Sequence, residues 1–412
     1  MKIGLVPLIS PVHDQERIDQ TLTGFMEGLN QFDITELSFN QLDEVEEYDL
    51  VLVFVKSGGT ENQFKDIYHR LPQPVYLLST SLHNSLAASM EILSWIKSRG
   101  GKGEIIHGNS EQVKSRLMAL SSINQTRQKM SSATLGLVGE PSDWLIASRV
   151  DPEKVRERWG LRIMKIKMEE LIELYHQTDS TRAREVGQKF AEGSRGMVEN
   201  SEEDLYQASR VYLALKEIVL RYDLNALTLR CFDLVTGLKT TGCLALSLLN
   251  NEGLIAGCEG DIPATVSMLL AYYLTGRLPF MANPVSLDQE QRTVNFAHCT
   301  VATGLAEGYK IRSHFESGIG VGIQGMLTPG PVTIFKVGGK DLGEYMVKTG
   351  EILENTGNPN ACRTQIKVRL ITGLDYFLTR PLANHHIIIP GDYSDLIYNY
   401  FSLTGEVWDL RF

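Results

Sequence analysis

The chain has 412 residues, of which 43% are hydrophobic and 22% charged, and its formal charge is −10. This is an ordinary globular composition with room for two or three domains. The acidic balance and the lack of any Lys/Arg-rich block argue against a nucleic-acid or anionic-membrane partner. No apolar run reaches the roughly 18 residues that a membrane-spanning helix needs.

Met1 to Pro7 has an early Gly and Pro and reads as a first strand rather than a signal peptide. Lys2 to Leu8 is strand-like, and Asp14 to Asn30 has helical apolar spacing through Ile18, Leu22, Phe25, Met26 and Leu29. Asp49 to Val55 is a continuous apolar run, as in a strand covered on both faces. A helix from about Gln63 to Leu71, a strand Val75 to Ser79 and a helix through Ile96 follow. This alternation predicts a doubly wound α/β domain over 1–132. Ser57-Gly58-Gly59 has backbone N–H groups that could cradle an anion, but it lacks any nucleotide fingerprint and reads better as a tight strand-to-helix link.

Thr134 to Gly139 restarts the strand pattern and opens a second α/β domain, 133–283; Glu140 to Ile146 then breaks from it as a loop. Leu161 to Lys167 and Ala226 to Phe232 are further strands. Met168 to Tyr175, Thr181 to Gly193, Ser201 to Tyr222 and Leu238 to Leu249 are helices. Leu254 to Ala256 is a strand, and Ile262 to Leu274 a helix with Pro263 near its first position. From about Ala282 the texture changes. Thr293 to Thr300 alternates at period two, Val332 to Val337 and Gln365 to Ile371 are strand-like, and Gly and Pro are dense between them. The region 284–412 is therefore expected to be mainly antiparallel, a sheet or small barrel.

Two carboxylates, Glu259 and Asp261, fall in the turn between a strand end and a helix start, where ligands bind in open α/β sheets. Asp261 also suits a plain N-cap. Asp233 sits just past the preceding strand, and His385-His386 precede an apolar run far down the chain. Only one of that pair can face a given site, because side chains alternate along a strand. Carboxylates with imidazole suit a divalent metal, and the oxygen-rich mix favours Mn²⁺. The five cysteines (Cys231, Cys243, Cys258, Cys299, Cys362) are scattered and lack zinc-site spacing, as expected of a reduced, cytoplasmic setting.

Cys258-Glu259-Gly260-Asp261, with Ile262 to Met268 and Tyr273 to Gly276, resembles the segment of the L-fucose isomerase family that carries a metal-binding aspartate. Arg230 to Asp233, Asn295 to Thr300, His314 to Gly318, and Asn384-His385-His386 through Asp392 resemble that family's shorter branch. L-arabinose isomerases share a related architecture. The resemblance runs from about Leu135 onward. It implies two Rossmann-like α/β domains and a C-terminal β-barrel, with Mn²⁺ or another divalent metal at their junction. It also implies a trimer-based homo-oligomer (trimer or hexamer) with active sites between subunits, and aldose–ketose interconversion of a monosaccharide.

On that resemblance Asp261 is the metal aspartate and His385 the C-terminal histidine ligand, with His386 as the alternative. The family's upstream glutamate has no counterpart, since no acidic residue stands between Leu234 and Asn251; Asp233 or Glu259 would replace it. Moving a carbonyl from C1 to C2 passes through an enediol, which needs a base at carbon and an acid at oxygen. A metal chelated by the sugar oxygens stabilises the enediolate. Asp233 and Asp261 are the expected base and acid, and Glu259, Arg230, His298, Glu316 and Arg363 are expected to hold or polarise the sugar. An arginine there suits a sugar with an acidic substituent. The rival reading is a non-catalytic sugar-binding or regulatory protein on the same fold.

Overall fold

In the computed structural model, which describes residues 1–404 and 408–409, the first unit (Met1–Gln125) is built on five parallel strands. These are β1 (Lys2–Leu8), β2 (Asp33–Glu36), β3 (Leu50–Val55), β4 (Val75–Ser79) and β5 (Gly103–His107), in the order β2-β1-β3-β4-β5. β3 is buried at every position, as its unbroken apolar sequence requires. Asp14 caps the helix Gln15–Glu27 by accepting from the Arg17 N–H, which sets that helix's start. The Ser57-Gly58-Gly59 turn spends its polar groups internally. Gly58 N–H donates to the His83 carbonyl, and Ser57 Oγ accepts from Ser10 N–H. It is a tight link.

The second unit runs from Thr126 and contains a parallel sheet and a barrel. The sheet has β6 (Thr134–Val138), β7 (Arg162–Ile166), β8 (Ala226–Leu229) and β9 (Ile255–Cys258), in the order β7-β6-β8-β9. Two expectations are corrected here. The strand expected over 226–232 ends at Leu229, so Asp233 lies in the helix Phe232–Gly237 rather than at a strand tip. The helix expected over 238–249 is the segment Cys243–Asn251, separated from Phe232–Gly237 by a break. In that break Thr241 Oγ1 donates to the Val321 carbonyl and accepts the Val321 N–H.

Further strands are β10 (Phe280–Asp288), β11 (Thr293–His298), β12 (Gly308–Arg312), β13 (Gly322–Met326), β14 (Gly330–Gly338), β15 (Glu344–Asn355), β16 (Thr364–Leu370) and β17 (His386–Pro390), and a short strand Trp408–Asp409 pairs with β15. Six of them run β14-β17-β10-β11-β16-β15, antiparallel throughout, and β15 pairs back to β14 to close a barrel. Closure leaves few free edges and fills the interior with side chains such as Phe296, Ile334 and Ile388, all fully buried. β10 begins at Phe280, ahead of the texture change in the sequence. The helix Ile262–Thr275 packs between sheet and barrel, buried almost all round. Among the described residues no helix is long and apolar enough to cross a membrane.

That helix comes so close to β9 that a Cβ on Gly257 would stand 2.0 Å from Thr265 Oγ1. Gly257→Ala is expected to destabilise by roughly 1–3 kcal/mol through overpacking. Chemical denaturation should show the loss, and a neutral result would mean the helix can retreat without cost.

Candidate active site

Asp261 is the N-cap of the helix Ile262–Thr275 and is fully buried. One carboxylate oxygen, Oδ1, accepts the Ala264 N–H at 2.9 Å, and Oδ2 lies 2.8 Å from His385 Nδ1. Lys336 on β14, also fully buried, brings its Nζ to 3.9 Å from Oδ1. Burial alone would raise the Asp261 pKa. The Lys336 charge, the His385 hydrogen bond and the backbone N–H outweigh it and hold the group at about 2. Capping and a role at the site are thus one arrangement here, not alternatives.

Glu259 sits two residues earlier in a left-handed turn, φ 63° at Glu259 and 69° at Gly260. A side chain at Gly260 would meet the Glu140 carbonyl and Pro141 at 2.8 Å, so the turn needs glycine there. The loop that follows β6 covers this turn. Ser142 N–H donates to the Glu259 carbonyl, and Trp144 Nε1–H donates to Glu259 Oε2 at 2.6 Å. The other oxygen, Oε1, is 3.5 Å from His385 Nε2. Desolvation raises the Glu259 carboxyl, but His385, Trp144 and His298 together lower it below its ordinary value.

His385 is fully buried, and its Nε2 has no hydrogen-bond partner. Burial disfavours its charged form, yet Asp261 and Glu259 raise its pKa to about 9. His298, at the end of β11, has its ring 5.5 Å from that of His385 and its Nδ1 2.7 Å from Thr300 Oγ1. Burial, and after it the neighbouring His385, hold His298 at about 3, so it is neutral at ordinary pH.

Glu259, His298 and His385 each offer one ligand atom, all within 4.8 Å of one another. A carboxylate with two imidazoles fits a divalent first-row cation. Asp261 behind His385 Nδ1 is the carboxylate–histidine support that fixes a metal-binding imidazole. The orphaned, buried Nε2 of His385 is the lone pair such an ion would take. The donor set fits.

The grouping differs from the one read in the sequence. His386 is not with it: Nδ1–H donates to the Asn384 carbonyl, and Nε2 accepts from Tyr376 Oη at 3.0 Å. Alternation turns it into the barrel among Phe296 and Phe377, where burial holds it at about 3. Asp261 stands behind His385, its oxygens already engaged, rather than beside the cluster. Asp233 is drawn away by Arg230 Nε at 3.0 Å. Arg230 also reaches Asp143 at 2.9 Å and the Pro141 carbonyl, pinning the covering loop. Glu316 lies at the solvent edge, raised by desolvation first and the Glu259 charge second. Arg363 is held by Ser313, through its carbonyl and its hydroxyl.

Three participants were missed. Trp144 lay in a segment read only as a break. Thr300, which orients His298, had no distinguishing signal. Lys336 had one, a single charge inside the apolar run Val332 to Val337.

The parallel sheet is joined to a closed barrel, and at their seam a carboxylate and two imidazoles form a group that could hold a divalent ion. No family model matches the sequence. The chain is similar to the sulfoquinovose isomerase of Clostridium sp. (strain MSTE9), 26% identical over 318 residues, covering 73% of this chain and 70% of that one. It is also similar to the sulfoquinovose isomerase of Alkalicoccus urumqiensis, 24% identical over 306 residues, 69% of this chain and 66% of that one. The match to the sulfoquinovose isomerase of Priestia megaterium, 24% over 263 residues, covers 62% and 58%.

The charge arrangement has a pH signature in the metal-free protein. His385 has a raised pKa, so its contribution is complete below the unfolded value near 6.5 and is lost as pH rises through about 9. Asp261 has a depressed pKa, so its contribution is present above about 4 and lost as pH falls through about 2. Asp261→Asn leaves Lys336 buried without its partner and is expected to cost roughly 3–5 kcal/mol. The melting temperature of the wild type in chelator should fall between pH 6.5 and 9, and that of Asp261→Asn should fall much less. Parallel curves for the two proteins would refute the pairing.

Proposed function

We propose that the protein is a metal-assisted aldose–ketose isomerase acting on an acid-substituted monosaccharide, with a sulfonated hexose as the substrate class. The observation that carries this is the convergence of Glu259, His298 and His385 on one point, with Asp261 locking the His385 ring from behind. The similarity to sulfoquinovose isomerases supports the substrate class. The resemblance to L-fucose isomerases supports the wider family, and with it two doubly wound domains and a trimer-based assembly.

His298 and His385 would hold the divalent ion beside the Glu259 carboxylate, and when bound it would draw electron density from the sugar's C1 and C2 oxygens and stabilise the enediolate. The chain's own groups supply the rest. Glu259 is ionised and has Oε2 fixed by Trp144, which leaves Oε1 to take the C2 proton and return it at C1. Glu316, whose carboxyl is raised where that of Glu259 is lowered, would give its proton to the C1 oxygen as the enediol forms and recover one from the C2 hydroxyl as the ketose carbonyl forms. Two carboxyls pushed apart in this way divide the roles of base and acid. Trp144 and Phe232, ring centroids 4.8 Å apart and edge-on, cover the centre and limit water. Asp233, tied to Arg230, takes no proton.

The test is a screen of neutral and acid-substituted aldoses with Mn²⁺ present, reading ketose formation and solvent deuterium at C2. His298→Ala and His385→Ala are each expected to lose bound divalent metal and at least about 100-fold in kcat/KM. His386→Phe should retain both properties if it folds. Sugar binding without deuterium exchange in the metal-loaded wild type would replace this reading with that of a binding protein.

A further inference from the structure

An acid-substituted sugar needs a cation that the protein has not already neutralised. Arg230 is consumed by Asp233 and Asp143, at 3.0 and 2.9 Å. Arg312 is held by both oxygens of Glu199 through Nε at 2.8 Å. Lys336 is sealed against Asp261. Arg363 differs. Among the described residues no carboxylate lies within ion-pair distance of it, yet its guanidinium is aimed. Nε donates to the Ser313 carbonyl at 2.7 Å and Nη2 to Ser313 Oγ at 3.0 Å. The Phe315 ring lies 5.8 Å from the guanidinium carbon, and Nη1 is left for a ligand. The residue is half-buried, so its charge is only partly screened.

Its position relative to the reacting centre follows from register. Arg363 directly precedes Thr364, the residue opposite His298 in the β11–β16 pairing. A continuous row of side chains also joins the two. Glu259 bonds Trp144, Trp144 packs edge-on against Phe232, and the Phe232 ring lies 5.6 Å from that of His314, next to Ser313. The His314 imidazole is held below its ordinary value by burial and then by the Arg363 charge, in keeping with their closeness. A sugar with C1 and C2 at the Glu259–His385 centre can lie along this aromatic row with its terminal carbon toward Arg363.

We propose that Arg363 is the specificity-determining residue that reads the anionic group at the far end of the sugar, its planar fork matching two oxygens of that group. The proposal rests on the isomerase reading above for the placement of C1 and C2. Sulfonate, carboxylate and phosphate share the required chemistry, so the ligands tested are sulfoquinovose, glucuronate and glucose 6-phosphate, with glucose as the neutral reference.

Calorimetric binding of these four sugars to the full chain, with Mn²⁺, should show at least one anionic sugar held about 10- to 100-fold tighter than glucose. In Arg363→Met that preference should shrink to about threefold or less, and Arg363→Lys, which keeps the charge but not the fork, should recover part of it. A wild type without preference for any anionic sugar overturns the proposal, as does Arg363→Met with its preference intact. Should the methionine variant not fold, an unchanged preference in Arg363→Lys overturns it equally. Turnover is scored separately. Arg363-dependent binding without isomerisation upholds this inference and defeats the isomerase, and isomerisation indifferent to Arg363 does the reverse.

Discussion

The site depends on one buried carboxylate. Asp261 ends the turn after β9, caps the helix Ile262–Thr275, and holds the Nδ1 face of His385. It is also the nearest anion to Lys336, whose ammonium is fully buried and has no hydrogen-bond partner. A charge removed from water must be paired or lose its proton, so none of these groups can be altered alone. The lysine keeps the aspartate ionised, and the ionised aspartate fixes the imidazole. The imidazole then presents one unpaired nitrogen to Glu259 and His298.

The same neighbourhood sorts three buried histidines into different states. His385 lies between two carboxylates and is raised to about 9. His298, with a threonine hydroxyl as its partner, and His386, with a tyrosine and a carbonyl, are both held at about 3. Burial is common to all three and pushes each one down. The partner decides the result. His298 is thereby a neutral nitrogen donor at the pH of most cells, and His385 becomes one when a cation displaces its proton.

Barrel closure makes this proximity possible. β10 runs between β17 and β11, with Ala282 opposite His386 and Asn283 opposite Ala297. The neighbours of those residues, His385 and His298, therefore reach the same end of the barrel although 86 positions separate them in the chain. Strand alternation then sends His386 inward to Tyr376 and leaves His385 for Asp261.

Much of the frame was legible in the sequence. Continuous apolar runs such as Leu50–Val55 are typical of strands covered on both faces, and Asp261 before Ile262-Pro263 suits a helix start or a ligand turn. The strand-to-helix turn at Glu259–Asp261 was thus found from local chemistry, as were the α/β character of the chain and the antiparallel character of its last third. Local pattern could not say which of His385 and His386 faces the site, because a doublet looks the same in either register. Nor could it show that Asp233 belongs to a helix and to Arg230, or that Trp144, Thr300 and Lys336 take part. Those assignments depend on pairing across strands and on which charges share a low-dielectric interior. Both are set by residues distant in the chain, so only the tertiary structure decides them.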